Sequence, residues 1–284
     1  MADSPDLSGS RAGGDDKERS ARFLSLLAAP HAPQITSDRI AVVVAHPDDE
    51  TIGVGGQLSR FARVTVAHVT DGATRRHPER AALAKLRRHE LETAMALAGV
   101  PAGACVGLGV ADQEAALELA SLSERLAALF AQGNIDIVLT HPYEGGHPDH
   151  DATAFAVHGA QWLISRSGEA APAIVEMAFY HAGPSGLLAQ QFVPVPDSHA
   201  ITLPLSTAKW ELKQQMLAAH ASQAGVVAQF SATVERFRPA PRYDFCAPPN
   251  GGAIHYEAFD WGMTAARWCQ LAAASMRELG WVPN

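Results

Sequence analysis

Between residues 40 and 45 the chain runs Ile-Ala-Val-Val-Val-Ala without a polar side chain, then breaks into His46-Pro47. A β-branched run of that length, closed by a turn former, predicts a strand covered on both faces, as in a parallel sheet. Similar apolar runs predict strands at 64–69, near Cys105, at 135–139 and at 174–180. Helical spacing of apolar positions predicts helices over 78–97, stopped by Gly99, over 113–130, and from 151 to 164. Two more helices are expected at 206–219 and 261–279, with a Pro-containing loop at 193–197. The β, α, β, α, β order predicts an α/β fold: a doubly wound, mostly parallel sheet with right-handed crossovers and helices on both faces. Ligands bind such a sheet at the carboxyl ends of its strands.

Residues 1–18, ending in Lys17 and Glu18, are polar, contain Gly and Ser, and lack the apolar side chains that repay ordering, so they read as a flexible tail. Residues 19–284 carry no internal repeat or linker and read as a single domain. At 284 residues and 47% hydrophobic content the chain has material for one large core. Its formal net charge of -8 makes nucleic acid and anionic membranes poor partners. No apolar stretch is long enough to span a membrane. The three cysteines, Cys105, Cys246 and Cys269, are far apart and show no CxxC spacing, and the start has no secretory pattern. A reducing, cytoplasmic setting is expected.

Two clusters carry the chemistry. His46-Pro47-Asp48-Asp49-Glu50 follows the first strand directly, and His147-Pro148-Asp149-His150 follows the strand at 135–139 through a short loop. Either one alone reads as a turn, because Pro fixes φ and Asp bonds nearby backbone. Together, at the carboxyl edge of one sheet, they offer the nitrogen and oxygen donors of a catalytic zinc site with a position left for water. They also hold a spare carboxylate and a spare histidine for acid–base work.

Ala45-His46-Pro47-Asp48-Asp49-Glu50, with Gly53 and Gly55-Gly56 behind it, resembles the first signature of the PIG-L/LmbE-like deacetylases, and His147-Pro148-Asp149-His150 resembles their second. The similarity extends weakly over 40–223. The resemblance implies a Rossmann-like fold and metal-dependent removal of an N-acetyl group from a glucosamine-containing molecule. It implies His46, Asp49 and His150 as metal ligands, for Zn2+ or with Fe2+ on the same donors. Asp48 matches the general base, His147 the acid that serves the leaving amine or the oxyanion, and Asp149 the group that orients His147. Arg87, Asp112 and Asp71, the last within Thr70-Asp71-Gly72, resemble positions near the sugar pocket. The chain departs from several sugar-processing relatives at Gly145, where they carry an aromatic residue.

The expected partner is a small N-acetylated amino sugar or its conjugate, with homo-oligomerisation left open. An amidase of the same mechanism on a non-sugar or thiol-conjugate amide, and a non-catalytic metal-binding protein, are the alternatives. Dinucleotide redox chemistry is disfavoured because no G-x-G-x-x-G opens the first helix. Glu50 and His141 read as supports of the site, His68 as a hydrogen-bonded core histidine, and 209–223, with His220, as a further family-like element.

Overall fold

Every side chain of β1 (Ile40–Val44) is buried, which requires a hydrogen-bonding partner on each edge and a packed layer on each face. A computed structural model, describing residues 8–29, 34–196 and 198–282 with side chains from residue 16 onward, supplies all four. β1 pairs in parallel with β2 (Val64–Thr74), Ile40 opposite Val64, and with β4 (Ile137–Thr140), Ile40 opposite Ile137. β3 (Cys105–Asp112) adds outside β2 and β5 (Ala173–Met177) outside β4, both parallel. β9 (Val234–Pro239) and β8 (Ile201–Pro204) complete that edge antiparallel, giving the order β3-β2-β1-β4-β5-β9-β8. β6 (Tyr180–Gly183) and β7 (Gly186–Ala189) form a separate hairpin.

The pleat divides the core. Ile40, Val42 and Val44 face one layer, with side chains from α1 (Ser8–Ala28), α2 (Asp49–Val54), α3 (Arg80–Leu97), α6 (Thr207–Ala219) and α7 (Ala224–Val227). Ala41 and Val43 face the other, formed by α4 (Leu119–Gly133), α5 (Pro148–Arg166) and α8 (Ala265–Leu279). The chain builds outward from β1 through β2 to β3, then returns to β4 on the opposite edge of β1. The strand order therefore reverses between β1 and β4, and the crevice above their carboxyl ends is where such a sheet binds ligands. No described helix is long and apolar enough to cross a membrane.

The expected doubly wound, mostly parallel sheet is present, with several boundaries moved. The helix expected from 151 begins at Pro148, so the second cluster forms its first turn. The helix expected over 113–130 starts at Leu119, after a 3-10 turn at Ala115–Leu117, and the run expected at 174–180 divides into β5 and β6. The strand expected at 135–139 is Ile137–Thr140, and the last helix starts at Ala265 rather than 261. The expected loop at 193–197 is irregular through 196, and residue 197 lies outside the described residues.

The proposed tail needs a larger correction. Residues 1–7 lie outside the described residues, but 8–18 belong to α1. Phe23, Leu24 and Leu27 bury the end of that helix against the sheet, Arg19 Nη1 donates to Ala171 O at 2.9 Å, and Gln161 Nε2 donates to Asp16 Oδ2 at 3.4 Å. Docking of its apolar end offsets the ordering of its polar beginning.

The antiparallel edge is held through buried charge. Lys213 Nζ on α6 donates to Glu235 Oε1 on β9 at 2.7 Å and to Ile52 O of α2 at 2.8 Å. Glu235 also accepts from Gly56 N and Gln57 Nε2, at 2.8 and 3.0 Å. Removing one partner leaves the other charge buried without compensation, at a cost of about 3–5 kcal/mol. Lys213→Met is therefore expected to lower the unfolding free energy from urea titration by an amount in that range, with a lower midpoint, whereas Lys209→Met, at a half-exposed lysine, is expected to shift the midpoint far less. Equal midpoints for the two variants would remove this anchor from the account.

Candidate metal centre

The first cluster leaves β1 through a strained residue. Asp48 has φ 137°, a region non-glycine residues rarely occupy, and neighbouring groups hold it there. Its N–H donates to Glu50 Oε2 at 3.0 Å, and its carbonyl accepts from Thr51 N and Ile52 N at 3.0 Å each, which starts α2. Its carboxylate meets Arg87 Nη2 at 3.1 Å. The same guanidinium donates to Pro47 O at 2.9 Å and Gly72 O at 2.8 Å, binding this turn to the bend in β2. Gly72, at φ +69°, admits that approach, since a Cβ there would lie 2.5 Å from the guanidinium carbon.

The second cluster is positioned by α5. His147 is its N-cap, with Nδ1 accepting from Asp149 N at 3.1 Å, so neutral His147 carries its proton on Nε2. Asp151 Oδ1, in the first turn, accepts from Glu144 N at 3.2 Å and Gly145 N at 3.0 Å. Glu144 in turn meets Arg238 Nη2 at 2.9 Å, and Arg238 also holds Glu176 at 2.7 Å. The loop between β4 and α5 is thus fixed from both ends.

The clusters converge on a small volume. Asp49 Oδ2 lies 3.2 Å from His46 Nδ1, and Asp49 Oδ1 lies 3.4 Å from His150 Nε2. One donor atom from each of His46, His147 and His150 falls within 4.8 Å of the others; the same holds for Asp49, His141 and His150, and for His46, Asp112, His147 and Asp149. Four carboxylates, Asp48, Asp49, Asp112 and Asp149, share this space, and Arg87 is their only guanidinium or ammonium partner among the described residues. Buried negative charge in that excess, faced by imidazole nitrogens, fits a divalent cation.

The electrostatics agree. Burial works to lower His46, but Asp112, Asp149 and Asp49 hold it well above the ordinary histidine range. Burial would raise Asp49, yet His150 and His141 hold it well below the carboxylate range. Burial pushes Asp48 up to about 7 against the pull of Arg87. Burial, His46 and His150 together depress His147, keeping it neutral.

Residues 41–161, which contain both clusters, match the PIG-L family, described as GlcNAc-PI de-N-acetylase. Over that segment, less than half of the chain, the sequence is similar to the PIG-L family. A curated relative from Kineococcus radiotolerans, 1D-myo-inositol 2-acetamido-2-deoxy-alpha-D-glucopyranoside deacetylase, is 28% identical over 249 residues, covering 65% of this chain and 68% of that protein. Among solved structures, the N,N'-diacetylchitobiose deacetylase of Pyrococcus horikoshii superposes with TM-score 0.51 at 22% identity, over 78% of this chain and 82% of that one. A zinc-inhibited form of teicoplanin deacetylase gives 0.52 at 15%, over 72% and 99%. These two structural likenesses bear on the fold.

Within this site the sequence-predicted residues take distinct positions. His46, Asp48, Asp49, His147, Asp149 and His150 come together with Asp112, whose Oδ1 is 3.2 Å from His46 Nε2. Asp149 was expected to orient His147, but its carboxylate is 3.9 Å from His147 Nδ1 and 3.2 Å from His46 Nε2, so only its backbone N–H holds His147. Arg87 spends its Nη donors on Pro47, Asp48 and Gly72, which makes it a clamp on the turn. Asp71 is half-buried, accepts from Ala73 N at 3.1 Å and pairs with Arg80. His141, read as a support, has its Nε2 3.4 Å from Asp49 Oδ2 while accepting from Ala45 N at 2.9 Å. Sequence reasoning gave no role to Tyr180 and Trp261, whose rings meet His150 and His147. The aromatic density of 255–261 was the available signal for Trp261.

Behind the cluster, Glu50 meets His68 Nε2 at 3.0 Å and His220 Nε2 at 3.3 Å, so His220 belongs to the site's foundation. Burial would lower His220, but Glu50 raises it above the ordinary histidine range. A raised folded-state value contributes stability that is complete below the unfolded value near ~6.5 and is lost as pH rises through the folded one. The melting-temperature gap between wild type and His220→Gln is therefore expected to be widest near about pH 6 and to narrow toward about pH 9. A gap constant across that range would contradict a charged His220.

Proposed function

We propose that this protein is a metal-dependent hydrolase that removes the N-acetyl group from an amino-sugar-containing small molecule. The observation that carries the reading is Asp49 lying between His46 and His150, at 3.2 and 3.4 Å, where two strand ends meet, with Asp48 and His147 beside them. The acetamido-sugar deacetylase from Kineococcus radiotolerans supports the substrate class. Zinc, or iron(II) on the same donors, supplies Lewis acidity when bound, acidifying water and polarising the amide carbonyl.

The chain's own residues then divide the proton work. Asp48, held by Arg87 and pushed up to about 7, accepts the proton of the attacking water. Asp48 then passes that proton to the departing nitrogen as the C–N bond breaks, giving free amine and acetate, while neutral His147 donates a hydrogen bond from Nε2–H to the oxygen of the amide under attack. Asp149 fixes His46 in direction, and Glu50 holds the Asp48 turn from behind.

The test is acetate and free-amine release from N-acetylglucosamine conjugates by protein loaded with one equivalent of zinc or iron(II), before and after chelation. Chelation is expected to abolish release and metal return to restore it. Asp48→Ala is expected to lower kcat by about 10²–10⁴ while binding the same metal per chain, and His150→Ala to lose the metal. Full turnover by Asp48→Ala would remove the base assignment. Release from non-sugar amides alone would replace the substrate class.

A further inference from the structure

The rings around the candidate metal centre continue beyond its histidines. His147 meets Trp261 at 4.7 Å between centroids, and Trp261 stacks on Phe259 at 4.5 Å with planes 11° apart. Phe259 meets His255 at 5.1 Å, His255 meets Tyr180 at 6.0 Å, and Tyr180 meets His150 at 5.3 Å. The contacts leave the α5 terminus at one histidine and return to it at another, forming an aromatic rim. Half of its rings come from 255–261, outside the matched residues 41–161.

That segment is built to stay in place. Ile254, Tyr256 and Met263 are buried, His255 N donates to Gly145 O at 2.8 Å, and Ala265 N donates to Glu257 Oε1 at 2.6 Å. Gly145 explains why it can approach: at φ +72°, a Cβ there would lie 3.3 Å from Pro249 Cγ and 3.5 Å from Ile254 Cα. A side chain at 145 would have to take a positive φ and press on Pro249, and the segment packed there brings its own rings. Phe259 stays 42% exposed, and half-buried Trp261 lines an open cleft of about 190 Å³ together with Asp112 and Gln113.

We propose that Trp261, backed by Phe259, is the platform that holds the pyranose ring carrying the leaving amine. The inference rests on the hydrolase reading: if His147 Nε2–H hydrogen-bonds the amide being cleaved, the carrier's ring atoms lie within a few bonds of His147, and the adjoining aromatic surface there is Trp261. The C–H face of a pyranose packs on an aromatic ring, which gains burial while its hydroxyls stay hydrated. Trp261 and Phe259 are thus specificity-determining residues supplied from outside the matched core.

The experiment compares wild type, Trp261→Ala, Trp261→Phe and Phe259→Ala. Steady-state kinetics on N,N'-diacetylchitobiose use metal-loaded protein, and calorimetric titration of the deacetylated disaccharide reads binding without turnover. Circular dichroism and metal per chain check folding. Trp261→Ala is expected to raise KM and weaken binding about tenfold with kcat changed less than about threefold, Trp261→Phe recovering most of the loss and Phe259→Ala falling between. Unchanged KM and binding in Trp261→Ala, with wild type active, would overturn the platform and leave the hydrolase reading standing. Binding that is lost in Trp261→Ala without acetate release by wild type would keep the platform and overturn the hydrolase reading. A fall in kcat alone, not recovered by Trp261→Phe, would reduce Trp261 to a prop for His147, and a wild type that neither binds nor turns over the sugar would overturn both.

Discussion

Asp149 ties three strand ends together. Its carboxylate accepts from Gln113 N at 2.6 Å and Ala115 N at 3.0 Å in the connection after β3, lies 3.2 Å from His46 Nε2 at the end of β1, and itself stands in the first turn of α5 after β4. Burial raises this carboxyl, so its ionised form depends on those donors and on His46. The constraint works in both directions: Gln113 keeps a φ of 70° that few non-glycine residues adopt, and His46 is held with Nδ1 toward Asp49. A buried acceptor with three partners is costly to disturb, and the crevice at the strand reversal keeps its shape for that reason.

A second set of buried ionic groups stands behind the first. Glu50 joins the Asp48 turn to His68 and His220, Arg87 joins the same turn to the bend in β2, and Arg238 joins Glu144 in the β4–α5 loop to Glu176 in β5. Burying so much charge is not an efficient source of stability, because each desolvated ion must recover its hydration through bonds to the protein. Its effect is directional. Each donor at the centre approaches from a side chain or backbone group that is itself held, which is what close placement of a metal or a reacting atom requires.

What was legible in the chain follows from where each signal is local. β1 and the two acid-and-histidine clusters could be read directly, because an unbroken apolar run and a short motif need no distant partner to be visible. β9 was hidden because Glu235, Arg236 and Arg238 interrupt it, and Glu235 and Arg238 are buried only because Lys213 and Glu176 meet them. α1 was hidden because its apolar face occupies only its last turns. Arg87 could be recognised as belonging to the site, but that its Nη donors go to backbone carbonyls and Asp48 depends on Gly72 admitting it, a three-dimensional fact. For the same reason, the preference of Asp149's carboxylate for His46 over His147 could not be read from their adjacency in sequence.

Gly145 shows how chemistry and recognition come apart in this chain. The donors that meet above β1 and β4 all fall between residues 46 and 150, inside the matched segment, and their spacing is fixed by strand ends and the first turn of a helix. The rim is fixed by something else, the packing of Ile254 and Pro249 against a residue with no side chain, and by one backbone bond from His255 to Gly145. A loop anchored in this way can change its rings without moving a strand end, whereas a side chain at 145 would carry the strain of a positive φ and press on Pro249. A scaffold therefore holds the clustered donors while a loop from the distal chain borders the crevice above them. Gly145 is where the two meet, because its carbonyl accepts from His255 N and its backbone packs against Pro249 and Ile254.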